Sequence, residues 1–100
     1  MDKASAQAVS TIRRCIARDR VRLTMHFRVR LTERGVLWAD VLTLFDEPLR
    51  VKSDGIDDEG RPRWIVHGAS ADRAAMTVVC AIGRDQSGEL TVFVTAFWED

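Results

Sequence analysis

The stretch Ala75–Trp98, AMTVVCAIGRDQSGELTVFVTAFW, decides how this chain folds. It divides at Asp85-Gln86-Ser87-Gly88, a run of turn-forming residues. On either side, Ala75–Ile82 and Leu90–Trp98 are dense in β-branched and aromatic residues, with apolar side chains on both parities. A strand that alternates apolar and polar residues leaves one face to water. These two do not alternate, which places them in the centre of a sheet covered by helices. The short turn between them makes them antiparallel neighbours. On the last strand, Thr91 and Thr95 are expected to share a parity with Phe93 and Phe97.

Upstream, Arg63–Gly68 and Leu49–Ser53 read as two more strands, with Asp54-Gly55 and the acidic run Asp57-Asp58-Glu59-Gly60 as turn or loop between them. Ala69–Arg73 is a loop. Everything before Pro48 has helical spacing, apart from a short link. Trp38, Val41, Leu42 and Phe45 mark one face of a helix over about 38–46, which Pro48 cannot continue. Thr24 is placed to cap a helix over 25–34, and Gly35 to stop it in the left-handed conformation. Residues 20–24, RVRLT, suit a short strand or extended link. Val9, Ile12 and Ile16, at i, i+3 and i+7, define an amphipathic helix over 4–18, with Asp2 or Ser5 as its cap. The expectation is an α+β fold in a single domain, 1–100. Its N-terminal helices pack on a four- or five-stranded, mainly antiparallel sheet.

Composition excludes several classes. With 100 residues, 46% hydrophobic and 30% charged, the chain suits one soluble domain. No apolar run is long enough for a bilayer, and the N-terminus has no apolar signal core, so no membrane role and a cytoplasmic location are expected. Cys15 and Cys80 lack C-x-x-C spacing and read as buried thiols, with a disulfide between them unsupported. With His26 and His67 they do not form a zinc pattern. There is no phosphate-binding glycine loop, nucleophile elbow or H-E-x-x-H, so neither metal nor cofactor is expected. Asp57, Asp58 and Glu59 read as a solvated turn.

The net charge of zero hides an asymmetry. Residues 1–50 hold ten Lys and Arg against six Asp and Glu, and residues 51–100 hold five against nine. Between Arg13 and Arg34 lie eight arginines and only two acids, Asp19 and Glu33. Codon bias explains an arginine-rich composition, but explains its clustering less well. An acidic second half argues for a local basic site and against a general nucleic-acid coat.

Within that cluster, His26, Arg30 and Arg34 recur every fourth residue in LTMHFRVRLTERGV, residues 23–36. At about 100° per residue they share one stripe of a helix. Met25 and Val29 lie on one side of it, Phe27 and Leu31 on the other, so the stripe is expected to line a groove. One group that titrates near neutrality beside two planar cations suits a phosphate diester. The alternative is a solvated helix face, with Glu33 paired to Arg30 or Arg34. His67, in WIVHG, is either a hydrogen-bonded sheet residue or, if it meets His26 across a helix–sheet groove, an acid–base partner. Trp98 either closes the core or stacks a base.

The pattern Thr24-x-His26-x-x-x-Arg30-x-x-x-Arg34-Gly35-Val36 is followed by Asp40, Val41, Leu44 and Pro48, then by Val92-Phe93-Val94-Thr95-Ala96. It resembles a family of small bacterial proteins known as domain of unknown function number four-two-five-eight. The likeness covers about residues 20–98. The order of elements is similar to motility quorum-sensing regulator toxins and to RelE-like and BrnT-like toxins, which cut messenger RNA without metal.

The resemblance implies a metal-free endoribonuclease toxin of a toxin–antitoxin system, with RNA as substrate and an antitoxin as protein partner. For that activity the chemistry of the residues themselves offers His26, Arg30, Arg34 and His67 as catalytic candidates, and Arg22, Arg28 and Thr95 as candidate RNA contacts. The competing expectations are a non-catalytic RNA- or protein-binding module on the same fold, and a purely structural role for the arginines.

Overall fold

A computed structural model of the chain describes residues 1–99. The elements are α1 (Lys3–Ala17), β1 (Val21–Leu23), α2 (Met25–Arg34), α3 (Trp38–Asp46), β2 (Arg50–Ile56), β3 (Pro62–Ala69), β4 (Ala75–Asp85) and β5 (Gly88–Trp98). The strands form one sheet in the order β1-β5-β4-β3-β2, with β1 parallel to β5 and every other pair antiparallel. This is the expected α+β architecture, with five strands because the link at 20–24 joins the sheet. Asp54 and Gly55 belong to β2, beside a register shift, and the reversal falls at Asp57–Gly60. No helix is long and apolar enough to cross a membrane among the described residues.

Local chemistry sets the helix ends. Asp2 caps α1 by accepting from Ser5 N at 2.7 Å. Thr24 caps α2 by accepting from Phe27 N at 3.0 Å, and Gly35 ends that helix at φ 63°. Leu37 precedes α3 with no side-chain acceptor, but Asp40 reaches back to accept from Leu37 N at 2.9 Å. Asp40 also accepts from Ala71 N at 3.2 Å, tying α3 to the β3–β4 loop.

All three helices lie on one face of the sheet. Ile12 of α1, Phe27 of α2, and Val41, Leu44 and Phe45 of α3 share a core with Val66, Met76, Val78, Cys80, Phe93 and Ala96. Phe93 is central, with ring centroids of Phe27, Trp38 and Phe45 at 5.5, 5.3 and 5.9 Å. Such pairs each add about 0.5–1.5 kcal/mol beyond the area they bury. Cys15 and Cys80 are buried and free, and burial pushes the Cys80 thiol up to about 12.

The parity expected on β5 is broken. Val79 pairs with Thr95, but Cys80 pairs with Phe93, so Val94 is an extra residue. Thr91 and Phe93 therefore face the helices, while Thr95 and Phe97 face the other way.

Gly68 lets α3 approach β3. A Cβ there would lie 2.9 Å from Leu44 Cγ, inside a fully buried region. Gly68→Ala is expected to destabilise the fold by about 1–3 kcal/mol. Denaturant unfolding of the two proteins measures the difference.

Candidate functional site

The sheet face that the helices leave uncovered is built from cross-strand rows, because partners in register project to the same side. The first row is Arg50, His67, Thr77 and Phe97, on β2, β3, β4 and β5. The second is Lys52, Ile65, Val79 and Thr95. The third is Arg63, Ala81, Val92 and Arg22, the last on β1. Val79, Ala81 and Val92 are buried although no helix packs on them. Both parities of β4 and β5 are therefore buried and apolar.

The first row carries the chemistry. His67 Nδ1 lies 2.7 Å from Glu99 Oε1, and the buried Thr77 hydroxyl donates to the same oxygen at 2.8 Å. Thr77 Oγ1 is 2.9 Å from His67 Nδ1. With Nδ1–H donating to the carboxylate, Nε2 is left as the accepting nitrogen. The His67 side chain is 17% exposed, so the ring is held in place and still reachable. The Thr77 hydroxyl, then His67 and Arg50 nearby, hold the Glu99 carboxyl below its usual range. A carboxylate–imidazole pair of this kind fixes the tautomer and favours the imidazolium once a proton is taken.

Cations surround this pair. Arg50 and Lys52 are exposed and have no carboxylate partner among the described residues. Arg63 is paired with Asp54 at 3.2 Å. Arg34 comes in from α2, its guanidinium 5.8 Å from the Phe97 ring centroid and its Nη1 donating to Ala96 O at 3.1 Å. The Arg34 carbonyl accepts from Trp98 Nε1 at 2.6 Å, so Trp98 packs against the core and anchors the end of α2.

The helical stripe is not sunk in a groove. Met25 and Val29, expected to flank it on the inside, are 76% and 41% exposed. Only the Phe27–Leu31 side is turned into the core. Arg34 stands nearest that side and reaches the sheet. Arg30 is ion-paired to Glu33 one turn on. His26 is exposed, with no hydrogen bond or ion pair among the described residues. His26 and His67 are not joined; the partners of His67 are Thr77 and Glu99.

Arg28 projects about 120° round the helix from Arg34 and donates to Leu23 O at 3.4 Å. Of the sequence candidates, the fold brings His67, Thr95 and Arg22 to the uncovered face and Arg34 to its border. Arg50, Thr77 and Glu99 were missed. Pairing the strands as a continuous meander would have placed Arg50 and Thr77 beside His67, because partner numbers then sum to a constant.

Among the described residues, no three His, Cys, Asp or Glu side chains group to hold a metal ion. No protein-family model matches the chain, and no curated protein matches it.

A carboxyl held low in the fold stabilises it at pH above the ordinary carboxylate range, and that contribution is lost as the pH falls through it. Thr77→Val is therefore expected to cost about 1 kcal/mol near neutrality, with the gap to wild type closing on acidification. Denaturant midpoints at about pH 7 and about pH 3 check this. A gap that does not change with pH would mean that Thr77 acts through packing alone.

Proposed function

We propose that this chain is an endoribonuclease of the toxin type, acting in the cytoplasm on messenger RNA, with the uncovered sheet face as its active surface. The resemblance to domain of unknown function four-two-five-eight and to RelE-like and BrnT-like toxins supports the reading from sequence. The observation that carries it is the Glu99–His67 pair steadied by Thr77, set in a row with Arg50, which has no carboxylate partner among the described residues, and bordered by Arg34.

RNA supplies its own nucleophile, so the protein need only move a proton and stabilise charge. His67 Nε2 takes the proton of a ribose 2′-OH, and the oxygen attacks the adjacent phosphorus. The P–O5′ bond breaks and the imidazolium delivers its proton to the departing 5′-oxygen. The products are a 2′,3′-cyclic phosphate and a 5′-hydroxyl. Arg50 and Lys52 stabilise the extra negative charge of the pentacoordinate phosphorus, and Arg34 borders the same row. Each of these roles falls to a side chain, so the reaction calls on no metal.

The proton carrier is assigned to His67 in preference to His26, because among the described residues only His67 has a carboxylate to orient it. His26 and Arg30 remain on the flank of α2 from which Arg34 reaches Phe97, placed to meet the RNA backbone beyond the cut. A small antitoxin is the expected protein partner.

A second reading, a binding module without catalysis, is favoured by one observation. Arg30 and Arg34 are both engaged within the fold, which leaves fewer cations for a transition state than the sequence motif offers.

Expression of the wild-type chain in a bacterial host is expected to slow growth and to leave messenger RNA fragments with 5′-hydroxyl ends. His67→Ala lowers cleavage by about 10²–10⁴-fold, while His26→Ala keeps most of it. Intact RNA in the presence of wild-type protein would end the catalytic reading. Salt-sensitive RNA binding without cleavage would establish the second.

A further inference from the structure

The uncovered face does not stop at its third row. Beyond it lies a cleft of about 630 Å³, lined among others by Arg22, Gly60, Arg61, Gly83 and Leu90, with Arg84 at its rim on the parity that faces α1. Arg61 lies across Gly83, where a Cβ would come within 2.9 Å of its Cδ. Glycine at that position leaves room for the guanidinium stem to cross the sheet. The carboxylates of the lining are already engaged, Glu59 by Arg61 at 3.2 Å and Glu89 by Arg14 at 3.0 Å. Arg61 is also held by Asp57 at 2.7 Å, whereas Arg22 has no carboxylate partner among the described residues.

We propose that this cleft is a second phosphate subsite, and that it takes a backbone phosphate of the same single-stranded RNA, a few nucleotides from the bond cut at His67. The inference rests on the reading given above and adds a length requirement to it.

Distance and chemistry both point this way. Four residues along β3 and three strands across separate His67 from Arg22, a diagonal on the order of 20 Å at standard strand spacings. That is too far for one nucleotide and suits a short extended segment. The path between them crosses Val79 and Thr95, an apolar floor and a hydroxyl that suits a sugar–phosphate backbone. Phe97, half-buried at the start of the path, gives one base a ring to stack on. A sheet face with an aromatic platform at one end and guanidinium groups at the other recognises an unstacked strand.

The test uses 2′-O-methyl oligonucleotides, which bind but cannot be cut, followed by fluorescence anisotropy over a range of salt. A hexanucleotide is expected to bind wild-type protein at least tenfold more tightly than a dinucleotide. Arg22→Ala reduces that advantage about tenfold and lowers the salt slope by about 1. Arg22→Lys restores part of it, and thermal melts confirm that the variants fold.

Equal binding of both lengths, or a length advantage that survives Arg22→Ala, overturns the subsite. Length-dependent binding through Arg22 in a protein that cuts no RNA upholds the subsite and removes the catalytic reading. The two ideas therefore fail separately.

Discussion

Strand β5 has more edge than β1 can cover, and the arrangement of the molecule follows from that shortfall. The parallel pairing ends after Leu23 and Phe93. Beyond it, the outward carbonyls of Val94 and Ala96 would stand open to any passing strand. Helix α2 lies along this edge and meets both. Thr24 Oγ1 donates to Val94 O at 3.4 Å and Arg34 Nη1 to Ala96 O at 3.1 Å. One residue at each end of a ten-residue helix thus replaces the missing strand. The same contacts hold Phe27 over Phe93 and bring the Arg34 guanidinium to the border of the uncovered face.

A two-faced sheet results, and its faces do different work. One is filled by aromatic rings and aliphatic side chains that tie three helices to the centre of β4 and β5. The other is apolar along its middle and cationic along its margins. That division lets His67 be both rigid and reachable. Its ring is held by a buried hydroxyl and a carboxylate at the end of the sheet, on elements anchored from behind by the core. Sites built on such supports keep their geometry better than sites on loops.

Much of this was legible from residue order. Capping groups, glycine stops and Pro48 marked the helices closely, because those signals act within one turn of chain. The absence of alternation in β4 and β5 identified the sheet's centre, though for an incomplete reason. Helices cover only one of its faces, yet Val79, Ala81 and Val92 on the other are buried too. The chemistry was harder to read. The spacing of His26, Arg30 and Arg34 is a property of one helix, but which flank is buried depends on how that helix meets β5. Met25 and Val29 look like core residues in sequence and point to water. Conversely, Arg50, Thr77 and Glu99 are scattered along the chain and carry no local signal. Only pairing across the sheet gathers them round His67.

The extra residue at Val94 also governs how this strand can vary. Side chains on either side of it take opposite phases, so Phe93 and Ala96 both reach the core although three positions separate them. Losing that one residue would turn the segment from Leu90 to Phe93 over. The ring at the heart of the aromatic cluster would then meet solvent, and the donors and acceptors along the seam with β1 would fall out of step. A change of side chain at this place perturbs a single site, whereas a change of length rewrites both surfaces of the sheet at once.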